Sequence, residues 1–204
     1  MATLTRRDIL YKLKEESEKN KKLTITPIID EERQIGNFTI DLRLSNEFIT
    51  FKTESIKGFN VLEEKEKHNL YKIQELQIID FGSEITLHPG SLVLGSTFEY
   101  IKMPEDLAGQ VDGRSSWSRL GLVIATATGI DPGFCGSITL ELSNIGKSPL
   151  ILTPGTRICQ LSLNETKSSE SYSEKRKYHS PTGPEFSKVF DDPELKILHK
   201  IKEL

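Results

Sequence analysis

A chain of 204 residues favours one compact domain with appendages over two full domains. Its 36% hydrophobic share supplies a core, and 28% charged residues is ordinary for a solvated surface. A net charge of −3 and a pI near 5.9 exclude the strongly basic footprint of a bulk nucleic-acid binder, although a phosphate site needs only a few local cations. No apolar run approaches the length of a membrane span, and the opening Met-Ala-Thr-Leu-Thr-Arg-Arg lacks the apolar core of a signal peptide. The expectation is a cytoplasmic protein with neither membrane nor nucleic acid as partner. Cys135 and Cys159 both fall inside strand-like segments and form no Cys-x-x-Cys pair, so two buried free thiols are expected.

In chain order, residues 5–18 read as a helix. Thr5 with Asp8 three positions on resembles a capping box, and Ile9, Leu10 and Leu13 give a short apolar face. Strands are expected at 23–29, 38–44, 47–51, 77–81 and 84–87; in 38–44 the apolar Phe38, Ile40, Leu42 and Leu44 alternate with Thr39, Asp41 and Arg43. Residues 52–76 are charge-rich and weakly patterned and read as a surface excursion or loop. His88-Pro89-Gly90 marks a turn before a strand at 91–100. From Leu107 to Leu163, short apolar runs alternate with Gly and Pro, as in an all-β sandwich or barrel. Asn164 to Ser187 is rich in Ser, Lys and Glu and should be mobile without a ligand. Asp192-Pro193 reads as an N-cap followed by a first-turn proline, opening a helix striped by Leu195, Leu198 and Ile201.

Three stretches carry chemistry. Gly113-Arg114-Ser115-Ser116 lets backbone approach a ligand and offers several donors to anionic oxygens, with Arg119 a second cation nearby. An ordinary polar turn would look similar. In Thr126-Ala127-Thr128-Gly129-Ile130-Asp131-Pro132-Gly133-Phe134, Asp131 either stabilises the turn or contacts the sugar or base of a nucleotide. In Ile138-Thr139-Leu140-Glu141-Leu142, Glu141 shares a face with Thr139. If that face is covered, its carboxyl becomes a candidate proton-transfer group; on pattern alone a solvent-facing Glu is the simpler reading.

The histidines are His68, His88, His179 and His199. None opens a His-x-Glu, and no Pro-Cys-x-x-Cys is present, so the ligand set of the zinc deaminases is missing. A divalent ion carried by substrate phosphates stays compatible with the sequence. Tyr172, Lys175, Arg176, Lys177 and Tyr178 interleave aromatics and cations in the tail, either as a solvated charge run or as a segment that folds over a polyphosphate. Trp117, the single tryptophan, reads as a packing residue.

Gly-Arg-Ser-Ser at 113–116, Arg119-Leu-Gly-Leu, Thr126-Ala127, Ile130-Asp-Pro-Gly-Phe, Leu140-Glu141, Pro154-Gly155 and Gln160-Leu161 occur in the order and approximate spacing of the dCTP deaminases. Ile40-Asp-Leu-Arg-Leu, His88-Pro-Gly, Tyr172, Lys177-Tyr178 and Gly183-Pro184 also resemble that family, and residues 52–76 match it least. The resemblance implies a mostly β fold, a distorted dUTPase-like β-barrel or jelly roll with short N- and C-terminal helices. Residues 1–163 would form the dUTPase-like β domain with its N-terminal helix, and 164–204 a flexible tail closing over the nucleotide and ending in a short helix. It further implies a homotrimer with active sites between subunits.

Carried over by position, the resemblance makes Glu141 the proton shuttle. Ser115 and the backbone carbonyl of Ala127 would hold the attacking water, with Arg119 beside them. Arg114, Ser115, Ser116, Tyr172 and Lys177 would bind phosphates, within a substrate-binding stretch that includes Trp117 and Ser118. Asp131 would contact the sugar, while Thr139, Leu140, Glu141 and Gln160 would line the base pocket. The implied reaction is zinc-independent hydrolysis of dCTP to dUTP and ammonia, with Mg2+ carried by the triphosphate and no metal bound by the protein. Two alternatives are also compatible with the sequence: a bifunctional enzyme giving dUMP and pyrophosphate, and a non-catalytic trimer that senses nucleotides such as dCTP or dTTP. The chain departs from the family at Pro181 and Thr182, where Gln is common, and at Trp117, which replaces Leu.

Overall fold

Strands outnumber helices because the short alternating runs of the sequence each cover one face of a shared core. The structure, a computed structural model, describes residues 2–52, 59–125, 129–166 and 180–202. Helix α1 (Arg6–Lys14) comes first, followed by β1 (Thr24–Thr26), α2 (Glu31–Gln34), β2 (Thr39–Arg43) and β3 (Glu47–Phe51). Helix α3 (Glu64–Ile73) leads into β4 (Gln74–Ile78), β5 (Ile85–Leu87), β6 (Leu92–Ser96), β7 (Tyr100–Lys102) and β8 (Leu107–Gly113). After the one-turn helix α4 (Ser115–Ser118) come β9 (Leu122–Ile124), β10 (Gly129–Ile130), β11 (Cys135–Gly136), β12 (Thr139–Asn144), β13 (Leu150–Leu152) and β14 (Arg157–Glu165). Helix α5 (Pro193–Lys202) closes the described chain. The fold is mostly β with short helices near both ends.

The described strands form sheets ordered β4-β3-β6-β12-β9, β10-β8-β14-β2, β1-β7-β11 and β13-β5. Period-2 alternation sets which side chains meet. Ile40, Leu42 and Leu44, Leu140 and Leu142, and Leu161 and Leu163 all enter one core with Ile9 of α1. An irregularity in the β14–β2 pairing between Arg157 and Cys159 lets Ile158 and Cys159 both turn inward. It leaves Arg157 on the polar face beside Asp41. Burial raises the Cys159 thiol pKa, as expected for an inert core thiol, whereas Cys135 is half-buried with its sulfur 3.0 Å from the Tyr100 hydroxyl.

The N-terminal helix begins at its expected cap, where the Thr5 amide and hydroxyl both donate to Asp8 Oδ2, at 3.0 and 2.6 Å. At α5 the Glu194 amide donates to Asp192 Oδ1 at 3.4 Å, with Pro193 in the first turn. Several boundaries differ. Helix α1 stops at Lys14, the strand expected at 77–81 occupies Gln74–Ile78, and the run at 91–100 divides into β6 and β7. The reading of 52–76 as a surface loop is corrected by α3, whose Leu70 and Ile73 are buried. Two apolar residues one turn apart, in a segment otherwise dominated by charge, are too few to generate a helical period. Tertiary packing rather than amphipathic pattern holds this helix.

A fully polar, buried cluster sits between α2, β2 and the bend leading into β7. Arg43 Nη1 lies 3.1 Å from Glu99 Oε1 and donates to Gln34 Oε1 at 2.6 Å, while Gln34 Nε2 donates to Glu99 Oε1 at 2.9 Å. The Arg43 amide completes the arrangement by donating to Glu99 Oε2 at 2.7 Å. Such a network persists only because each charge retains partners after losing water.

Candidate active site

A cavity of about 520 Å³ lies on the five-stranded sheet. Its floor follows from strand register. Glu141 on β12 stands opposite Leu94 on β6, and Leu94 stands opposite Ile49 on β3; two residues along, Phe51 on β3 stands opposite Gln74 on β4. Cross-strand partners share a face, so Glu141, Leu94, Phe51 and Gln74 all face one side. Leu70 and Ile73 of α3 wall the cavity, with Ile130, Phe134 and Ile138.

The segment from Ser180 onward supplies another wall through Pro181, Glu185 and Ser187. It docks by backbone contacts. The Ser137 amide donates to the Pro181 carbonyl at 2.8 Å, and the Glu185 amide donates to Thr139 Oγ1 at 3.2 Å. Gly136 permits this approach, because a Cβ there would stand 2.5 Å from Pro181 Cδ and its φ is +143°. Residues 167–179 precede this segment, so the expected phosphate ligands Tyr172 and Lys177 lie outside the described residues.

Glu141 is half-buried in this wall of mostly apolar side chains, and desolvation raises its pKa above the ordinary carboxylate value. A carboxyl tuned upward in a cavity can accept and return a proton near neutrality. Thr139 lies on the same face and also lines the cavity. Leu140 points the other way and is fully buried in the core, so its backbone is what it offers to the cavity side. The Ala125 amide donates to the Glu141 carbonyl at 2.9 Å, which starts the segment toward Ala127 alongside Glu141; Ala127 itself lies outside the described residues. Asp131 is exposed just after β10, where its carbonyl accepts from the Phe134 amide at 3.1 Å.

The Arg-Ser stretch forms a second group. Ser115, Ser116, Ser118 and Arg119 are exposed on and just after α4. Trp117 packs against the core and its Nε1 donates to the Arg157 carbonyl at 3.2 Å. Arg114 Nη2 lies 3.5 Å from Asp41 Oδ2, an almost fully buried carboxylate that also meets Arg157 Nη1 at 2.9 Å. Gln160 Nε2 donates to the other Asp41 oxygen at 2.9 Å. Two guanidiniums against one carboxylate leave a local surplus of positive charge. Residues 114–119 and Gln160 are not among those lining the Glu141 cavity. Within one chain, then, the expected site residues form two groups, one for proton transfer and one cationic.

Sequence reasoning missed Asp41 and Arg157 as partners of Arg114, and Gln74, Phe51 and α3 as cavity walls. The alternation of 38–44 places Asp41 on a polar face, but nothing local announces that the Arg157 side chain will reach it.

Together the fold and its sites define a mostly β protein that presents a desolvated carboxylate in a cavity and a separate cationic loop. The chain belongs to the dCTP deaminase-like family, whose model matches residues 4–166. It is 45% identical over 174 residues to "dCTP deaminase, dUMP-forming" of Dictyoglomus turgidum, covering 83% of this chain and 88% of that protein. Identity to the protein of the same name from Methanothermobacter thermautotrophicus is 40% over 208 residues, covering 96% and 98%. A dCTP deaminase of Natronomonas pharaonis is 41% identical over 178 residues, covering 85% and 90%. Among solved structures, the 2′-deoxycytidine 5′-triphosphate deaminase of Agrobacterium tumefaciens superposes with a TM-score of 0.59 at 19% identity, covering 79% of this chain and 46% of that one. That likeness is one of fold.

Proposed function

We propose that this protein hydrolyses the 4-amino group of dCTP, with Glu141 as the proton shuttle. The observation that carries the reading is Glu141 itself, half-buried in the cavity with its pKa raised by desolvation. Glu141 takes a proton from water as the oxygen bonds to C4 of cytosine, and delivers a proton to N3. The proton of the new 4-hydroxyl then passes to the amino nitrogen, the C4–N bond breaks with release of ammonia, and the uracil base remains. Arg114, Ser115 and Ser116 bind phosphates, Asp131 contacts the sugar, and Ser115, Arg119 and the Ala127 carbonyl hold the water, as family resemblance implies. The separation of the cationic group from the Glu141 cavity within one chain supports a site completed by a second copy, in a homotrimer. Magnesium arrives with the triphosphate, and the absence of His-x-Glu and Pro-Cys-x-x-Cys from the sequence supports a reaction without protein-bound zinc.

The fate of the triphosphate has two readings. Simple deamination gives dUTP and ammonia. The names of the Dictyoglomus and Methanothermobacter relatives favour the second, in which two waters are consumed and dUMP, pyrophosphate and ammonia are released. Incubation with dCTP and magnesium, followed by chromatography of the nucleotides and an ammonia assay, separates them. Absence of ammonia refutes both.

A further inference from the structure

The cavity is longer than proton transfer requires, and its far end carries a polar group. Gln74 opens β4 immediately after α3, lines the cavity and is 6% exposed. Its Oε1 is buried and finds no hydrogen-bond partner among the described residues. Around it the walls are apolar: Phe51, Leu70 and Ile73 close this end. A buried amide oxygen without a partner is costly, so a folded chain retains one where something else supplies the donor. Three strand spacings of about 4.8 Å separate β4 from β12, which places the two backbones roughly 14 Å apart. With both side chains reaching inward, the interval is of the order of a nucleoside's length, with Glu141 at one end.

We infer that Gln74 is a specificity-determining residue that accepts a hydrogen bond from the bound nucleotide, so that the segment least like the rest of the family supplies part of substrate recognition. The inference rests on the dCTP-binding reading of the Glu141 cavity. Glu141 takes the C4–N3 edge of the base, which carries the 4-amino group, so the donor that reaches the far end is the 3′-hydroxyl of the sugar. The near-isosteric Gln74→Met removes the acceptor and keeps the volume.

Calorimetric Kd values for dCTP, measured in Glu141→Gln and in Glu141→Gln/Gln74→Met so that turnover does not consume the ligand, test the inference. The second variant should bind about three- to tenfold more weakly, the value of one hydrogen bond. Its melting temperature without nucleotide should equal or exceed that of Glu141→Gln, because an orphan acceptor has been removed. Repeating the pair with 2′,3′-dideoxycytidine triphosphate assigns the donor. A penalty that vanishes supports the 3′-hydroxyl as the donor, and one that persists overturns that assignment. An unchanged Kd, no dCTP binding by Glu141→Gln, or a fall in melting temperature of several degrees overturns the role of Gln74. Ammonia release by the unmodified protein is scored separately: its absence refutes the proposed activity, while an unchanged Kd beside normal release refutes only the inference.

Discussion

Gly136→Ala probes the docking of the segment after 179 onto the cavity. The added Cβ would lie 2.5 Å from Pro181 Cδ, 2.8 Å from the Pro181 carbonyl oxygen and 2.9 Å from its nitrogen, all within one rigid residue. A backbone held this way cannot swing aside as a flexible side-chain tip would. The left-handed φ of +143° adds strain of about 1–3 kcal/mol that stays whichever way the clash is relieved. The least costly relief is departure of residues 180–187, which gives up the Ser137–Pro181 and Glu185–Thr139 bonds at about 0.5–1.5 kcal/mol each. With the closed arrangement blocked by the clash, opening should rise at least by the factor through which those two bonds suppress it in the parent, about five- to a hundredfold. Hydrogen exchange at the Ser137 amide should accelerate by that factor, while core amides of β12 and β14 slow or quicken only with the global stability. The KM for dCTP should rise, because Glu185 and Ser187 leave the cavity wall. Unchanged Ser137 protection, with an unchanged KM, would refute the reasoning.

Glu141→Gln should lower kcat by roughly 10² to 10⁴ with dCTP binding retained, as measured by ammonia release and calorimetry. The same variant should melt higher than the parent at pH 7–8. A carboxyl whose folded pKa is raised favours the protonated form, so its contribution to stability is present below the unfolded value of 4.5 and is lost as pH rises through the folded pKa; the melting difference should shrink toward pH 4.5. Glu99→Leu strands Arg43 in a buried site and should cost about 3–5 kcal/mol in chemical denaturation; a loss under 1 kcal/mol would mean that Gln34 alone satisfies the guanidinium. Arg114→Ala should leave the fold intact, because Arg157 still pairs Asp41 at 2.9 Å, while raising the KM for dCTP about ten- to a hundredfold; a KM within twofold of the parent would remove Arg114 from the phosphate contacts.

Much of the candidate site lies within short stretches of sequence. Strand alternation put Glu141 with Thr139 on the face opposite Leu140 and Leu142, but only the ordered motifs of the family singled out Glu141 and Arg114. What alternation could not say was whether the face bearing Glu141 is covered. The answer depends on α3, on Ile130 and Phe134, and on a segment some forty residues downstream, each contributing walls that no local period announces. Leu140 shows the converse, since its neighbour's role in the cavity does not extend to a side chain committed to the core.

Local sequence sets the element types where short-range physics dominates: the Thr5–Asp8 cap, the proline-initiated last helix and the alternating strands, along with the ordered motifs that mark the family. Long-range packing set the rest. It turned a charge-rich stretch into α3, set Arg157 and Gln160 around Asp41 through the β14–β2 register, buried Arg43 with Glu99, and left Gln74 facing a cavity without a partner. Those outcomes depend on contacts between residues distant in the chain. Desolvation, which gives Glu141 its raised pKa, is a property of the assembled walls and not of the residue.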